Sequence, residues 1–170
     1  PKGSIDIDFT VEKNINIYSE LTNKNNSEIT VCVLNRPRHK EIISELQRLK
    51  VNIKLITDGD VSGALLVSDK KFNVDIFMGI GGGPEGVLAA AALSCYDGQM
   101  PTRLVLNQDE ENRAKKMGIT DFKKKYNLED MIKGDVMFCA TAITNGDLAE
   151  GVTEDDQFYK TSTIALHKYG

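Results

Sequence analysis

The chain has 170 residues, 41% of them hydrophobic and 27% charged, which is the composition of a globular domain and excludes wholesale disorder. Its 21 Lys and Arg against 25 Asp and Glu leave a formal charge of −4. That argues against a general binder of nucleic acid or anionic membranes, because such binding needs a basic excess. A chain of this length buries roughly two-thirds of its unfolded surface, so neither disulfide nor metal is needed for folding alone.

In chain order, Val11, Ile15, Tyr18 and Leu21 recur at helical spacing until the polar run NKNNS at 23–27. A strand is predicted over 29–34 (ITVCVL), a polar turn over 35–38, and a helix over 39–50 with Ile42, Ile43, Leu46 and Leu49 on one face. Strands over 51–56 and 74–80 follow, the second running into a glycine-rich stretch and an alanine-rich helix over 84–96. Beyond these, strands are predicted over 103–106, 135–140 and 162–166, with helical segments over 109–117 and 128–132. Apolar strands alternating with helices give an α/β fold, a mostly buried β-sheet flanked by helices, in one domain over 1–170.

Cys32, Cys95 and Cys139 lie far apart, each inside or beside an apolar run and without a CxxC pair. They read as small buried thiols in a reducing compartment, with neither zinc site nor disulfide framework. No apolar run reaches the ~18 residues of a membrane span and no signal peptide is visible, so a cytoplasmic location is expected.

Three polar clusters stand at three successive strand ends, where ligands collect in α/β folds. Arg36-Pro37-Arg38-His39 can offer guanidinium forks and a helix start to phosphate, or can be a solvated basic turn. His39 reads as a surface or capping residue, and with no second histidine nearby it makes no metal site. Asp58-Gly59-Asp60 can bind a hard cation or sugar hydroxyls, or form an ordinary turn. In Gly79-Ile80-Gly81-Gly82-Gly83-Pro84-Glu85-Gly86 the backbone is bare to a ligand, Pro84 suits a first helical position and Glu85 stands in the first turn.

Two other readings compete. Gly81-x-Gly83-x-x-Gly86 matches a dinucleotide fingerprint, with Asp109 as a candidate ribose acid, but Glu85 would repel the pyrophosphate. Asp58-Gly59-Asp60-Val61 looks like the first motif of haloacid-dehalogenase-type phosphatases. Thr141 could serve as a later motif, yet Asp155 and Asp156 follow no apolar strand as that family's late acids should.

Together, VLNRPRH, LITDGDV-G and GIGGGPEGVLAAAAL, in this order, resemble the class II fructose-1,6-bisphosphatases, including their bifunctional fructose/sedoheptulose bisphosphatase branch. Met100, 103–105 and ATAITNGDLAEGV extend the likeness over nearly the whole chain, with Asn145 standing where the family more often has Asp. The resemblance implies a layered α/β/α/β/α sugar-phosphatase fold and hydrolysis of the 1-phosphate of fructose 1,6-bisphosphate with Mn²⁺ or Mg²⁺, in gluconeogenesis. It assigns Arg36, Pro37 and Arg38 to substrate phosphate, Asp58, Gly59 and Asp60 to sugar hydroxyls, Gly82 to a substrate contact and Glu85 to a metal. No catalytic residue is assigned within this chain. The family's other metal carboxylates, its lysine and its substrate tyrosine lie in an N-terminal half with no counterpart here. Pro1 therefore reads as the start of the C-terminal half of such an enzyme. The expected partners are fructose 1,6-bisphosphate, that N-terminal half and further copies in a homo-oligomer, with no nucleic acid and no membrane. An isolated sugar-phosphate-binding module without activity of its own, and more distantly a nucleotide-binding domain, are the alternatives.

Overall fold

The computed structural model describes residues 2–170. Thr10 starts α1 (Val11–Thr22) by accepting a hydrogen bond from the Lys13 amide at 3.1 Å. Asn23 stops the helix in the left-handed region at φ 53°, a conformation asparagine tolerates. β1 (Thr30–Leu34) is the centre of a parallel sheet, flanked by β2 (Asn52–Ile56) on one side and β3 (Ile76–Met78) on the other. Side chains alternate between its faces. Val31 and Val33 pack with Ile15 of α1 and Leu46 of α2 (Lys40–Arg48), whereas Cys32 packs with Leu66 and Val74 on the opposite face. Being covered on both sides explains why the β1 sequence is a continuous apolar run.

That opposite face carries α3 (Asp60–Leu65) and α4 (Gly83–Ser94). Ala64 and Leu65 meet Ala89, Ala90, Ala92 and Leu93 there, and the small alanines let the helices approach closely. The same cluster takes in Phe138 of β4 (Val136–Thr141) and Leu166 of β7 (Thr163–Lys168). These two strands are antiparallel, with Met137 opposite His167 and Cys139 opposite Ala165. The order of layers is thus helices, parallel sheet, helices, antiparallel pair. Four layers of the expected five are present among the described residues, and the outer face of β4 lies open, with Met137 81% exposed.

Around this stack lie α5 (Gln108–Lys116), α6 (Leu128–Met131) and an exposed hairpin of β5 (Thr153–Asp155) and β6 (Phe158–Lys160). No described helix is long and apolar enough to cross a membrane. Asp75, just before β3, ties the first layer down by accepting from the Tyr18 hydroxyl at 2.9 Å, the Thr30 amide at 2.9 Å and the Lys24 ammonium. Burial alone would raise its pKa, but these three donors outweigh burial and lower it.

Several expectations need correction. Residues 103–106 form no strand: only Thr102 makes a bridge, to Tyr126, and no described strand lies alongside. Arg103 instead spends its guanidinium on the Lys123 carbonyl and on Asp8. Of the three cysteines only Cys32 is buried, and burial pushes its thiol up to about 11. Cys95 is half-buried, and Cys139 is exposed because β4 turns its odd-numbered residues outward. All three are free thiols.

The segment before α1 is fastened by charge. Asp6 pairs with Lys125 at 2.7 Å, while Asp8 pairs with Arg103 at 2.7 Å and Lys125 at 3.1 Å. Hydrogen bonds from Arg103 and then Lys125 hold the Asp8 carboxyl down at about 2. A carboxyl depressed below its unfolded value contributes stability above that value and loses it as pH falls through the folded one. The segment 2–9 is therefore expected to undock between pH ~4 and ~2, read as faster hydrogen exchange at the Phe9 amide. An Asp8 titration midpoint near that of a free aspartate would contradict the pairing.

Candidate functional site

In a parallel sheet the carboxyl ends of neighbouring strands share one edge. RPRH follows β1, DGD follows β2 and GIGGGPEG follows β3, so the strand order β2-β1-β3 puts the arginine turn between the other two. The chain leaves β1 through a 3-10 turn at Pro37–His39, with Pro37 at its first position. It leaves β2 through Gly59, whose φ of 86° favours glycine and where a Cβ would also collide with the Ser62 hydroxyl. Asp60 then opens α3, and Gly82 caps α4, which brings Glu85 into its first turn.

The glycine loop is the meeting point. The Arg38 Nε donates to the Ile80 carbonyl at 2.7 Å, and the Ile80 amide donates to the His39 Nε2 at 2.8 Å. One residue on, a Cβ on Gly81 would run into the Asp60 carboxylate. One further, a Cβ on Gly82 would run into the carboxylate of Glu85. Four consecutive loop positions, 79–82, therefore touch side chains from all three clusters, and a side chain at Gly81 or Gly82 would displace the carboxylate that lies against the backbone.

Arg36 is half-buried, Pro37, Arg38 and Asp58 are exposed, and Gly59 and Asp60 are half-buried; Gly82 and Glu85 are exposed. Elsewhere the surface is laced with ion pairs. Among the described residues, none of those pairs uses Arg36, Arg38, Asp58, Asp60 or Glu85. Asp58 does no more than accept from the Gly59 amide at 2.9 Å, and the terminal guanidinium nitrogens of Arg38 remain available. Two cations and three carboxylates thus stand unpaired on one sheet edge. Such an arrangement can grip a ligand that carries phosphate and hydroxyls together.

A divalent ion needs several oxygen ligands. Among the described residues no group of three His, Cys, Asp or Glu side chains could hold one. Glu85 can offer one carboxylate, so these residues do not by themselves fit a complete metal site.

His39 departs furthest from its sequence reading. It is 0% exposed rather than on the surface, and although it stands at the N-cap position of α2 its side chain makes no capping hydrogen bond. Its Nδ1 lies 2.8 Å from the Leu34 carbonyl and its Nε2 faces the Ile80 amide. Nothing local marks it, because its partner Ile80 lies 41 positions away in sequence. Asn145 is also explained: its side-chain oxygen accepts from the Gly151 amide at 2.9 Å, closing the loop after β4. Asp147 of that loop reaches Lys54 on β2 at 3.0 Å.

The geometry also bears on the competing readings. Thr141 lies in the antiparallel pair, opposite Thr163, not on the edge that carries Asp58 and Asp60. Glu85 folds back over Gly82 at the mouth of α4, where a dinucleotide would need its pyrophosphate.

The family model for bacterial, glpX-encoded fructose-1,6-bisphosphatase matches residues 1–169. The chain belongs to that family. It is 38% identical over 180 residues to the fructose-1,6-bisphosphatase 1 class 2 of Escherichia coli K12, covering 97% of this chain and 53% of that protein. To the D-fructose 1,6-bisphosphatase class 2/sedoheptulose 1,7-bisphosphatase of Synechococcus sp. it is 36% identical over 179 residues, covering 97% and 52%. To the protein of the same name from Microcystis aeruginosa it is 37% identical over 165 residues, covering 89% and 48%. The chain spans about half the length of the curated relatives it matches.

Proposed function

We propose that this chain is the C-terminal portion of a metal-dependent phosphatase that hydrolyses the 1-phosphate of fructose 1,6-bisphosphate in the cytoplasm, as a step of gluconeogenesis. The observation that carries this reading is the set of unpaired charges gathered on one sheet edge in the family's motifs. Arg36 and Arg38, stiffened by Pro37, anchor the phosphate that is not cleaved. Asp58 and Asp60, set apart by Gly59, accept hydrogen bonds from sugar hydroxyls. Gly82 lets the substrate approach the backbone, and Glu85 supplies one carboxylate to a divalent ion, Mn²⁺ or Mg²⁺.

In the reaction a water oxygen bonds to phosphorus, the ester P–O bond breaks, and fructose 6-phosphate and inorganic phosphate leave. Held by its far end, the substrate presents its reacting phosphate without further loss of freedom. Sedoheptulose 1,7-bisphosphate carries the same phosphate and neighbouring hydroxyls and fits the same groups. The remaining half of the enzyme would complete the metal site, and the assembled enzyme is expected to be a homo-oligomer.

A separation of roles tests this. Arg36→Ala removes a charge-assisted phosphate contact worth about 1.5–3 kcal/mol, so KM should rise roughly 10- to 100-fold with kcat little changed. Glu85→Ala should do the reverse. Equal losses of kcat in both variants, with KM unmoved, would break the assignment.

A second reading applies to the separated chain. Because its described residues hold no cluster of metal ligands, it would bind fructose 6-phosphate and turn nothing over. Calorimetric titration distinguishes this from an inert chain, which gives no heat.

A further inference from the structure

We infer that His39 is a positioning residue that sets the shape of the glycine loop and, through it, the aim of Arg38. The inference rests on the sugar-phosphate reading above and adds a residue to it.

The ring is fully buried and bonded at both nitrogens. An amide N–H can only donate, so Nε2 must present its lone pair to Ile80, which leaves the proton on Nδ1 to be donated to the Leu34 carbonyl. The histidine thus staples the end of β1 to the end of β3, two strands that are neighbours in the sheet. Its ring also fills the space beside Gly79, where a Cβ would lie 3.0 Å from Cε1 and 3.1 Å from Nε2.

The second half of the staple is Arg38. Ile80 gives the N–H of the Gly79–Ile80 peptide to His39 and takes the Arg38 Nε on the carbonyl of the Ile80–Gly81 peptide at 2.7 Å. Each peptide group is planar and nearly rigid, so anchoring the two planes that flank the Ile80 Cα holds its φ and ψ and fixes the direction of the loop on either side. From there the backbone passes directly under the carboxylates of Asp60 and Glu85. A ring with no contact to ligand therefore orients an arginine, and it sets the backbone that two carboxylates lie against.

The test separates the two bonds. Asparagine places its amide where Nδ1 stands and can keep the Leu34 bond, whereas glutamine reaches the position of Nε2 and can keep the Ile80 bond. Fructose 6-phosphate affinity, hydrogen exchange at the Ile80 amide and Tm are measured for this chain, His39→Asn and His39→Gln. The expected result is about tenfold weaker binding and about tenfold faster Ile80 exchange in His39→Asn, the worth of one hydrogen bond, with both largely restored in His39→Gln at similar Tm. Equal behaviour of the two variants in binding and exchange overturns the inference, because a residue that merely filled space would not distinguish them. Absence of heat with the parent chain would instead mark failure of the sugar-phosphate reading. Ile80 exchange then decides the staple alone: slow in parent and His39→Gln but fast in His39→Asn supports it, and no difference overturns it.

Discussion

Gly82→Ala is expected to remove turnover from the assembled enzyme by about 10²–10³-fold, on the scale of losing one charge-stabilising group, while leaving its stability nearly unchanged. The backbone at Gly82 is extended, with φ −72° and ψ 147°, so alanine fits its conformation. What the added methyl meets is the Glu85 carboxylate, the far end of a flexible side chain. That group can swing away at little cost, and in swinging it abandons the position assigned to the metal. Gly82→Ala should therefore resemble Glu85→Ala in kcat, and combining the two should cost no more than either alone. Additive losses from the pair would mean that Gly82 acts through something other than Glu85. A Tm drop of the size produced by a core truncation would mean that the loop cannot yield.

Leu46→Ala carries the largest stability effect. Leu46 is 0% exposed, at the seam where α2 meets Ile15 of α1 and Val31 and Val33 of β1. Truncation removes transfer energy and leaves a cavity between rigid elements, about 2–5 kcal/mol in total. For a chain of this length that lowers Tm by roughly 5–15 °C. Leu55→Ala is the control, since Leu55 lies on the edge strand β2 at 47% exposure and should change stability by less than about 0.5 kcal/mol. Denaturant midpoints compare the two, and similar shifts would contradict the division between core and edge.

The layers that build the site are the part most legible in sequence. β1 and β3 are apolar runs and β2 sets Ile53, Leu55 and Ile56 among Asn52 and Lys54; each leads into a turn of glycine, proline or aspartate, and α2 and α4 follow two of them with clear starts. Given parallel strands, their carboxyl ends share an edge, so the sequence alone groups RPRH, DGD and GGGPEG together. α3 was missed because its six residues DVSGAL are too short to establish a period. The β5–β6 hairpin leaves no sequence signal because its strands, TED and FYK, are three residues long, too short to show an alternation, and are exposed throughout. The segment 103–106 has strand composition without a strand neighbour, a difference that lies in tertiary structure. Pairing of β4 with β7 joins residues more than twenty positions apart into a separate sheet, and local pattern carries no such register. Within the site, residue types announced phosphate, hydroxyl and metal chemistry. The contacts of Gly81 with Asp60, Gly82 with Glu85 and His39 with Ile80 depend on how loops from different strands meet, so they became visible only in three dimensions.

The most direct measurement is phosphate release from fructose 1,6-bisphosphate with Mn²⁺, by this chain alone and after adding the N-terminal half proposed to complete the enzyme. Release from the mixture only, lost in Glu85→Ala and requiring more substrate in Arg36→Ala, is the expected result. Release from this chain alone, abolished by EDTA, would contradict it, because Glu85, Asp58 and Asp60 would then be forming a metal site unaided.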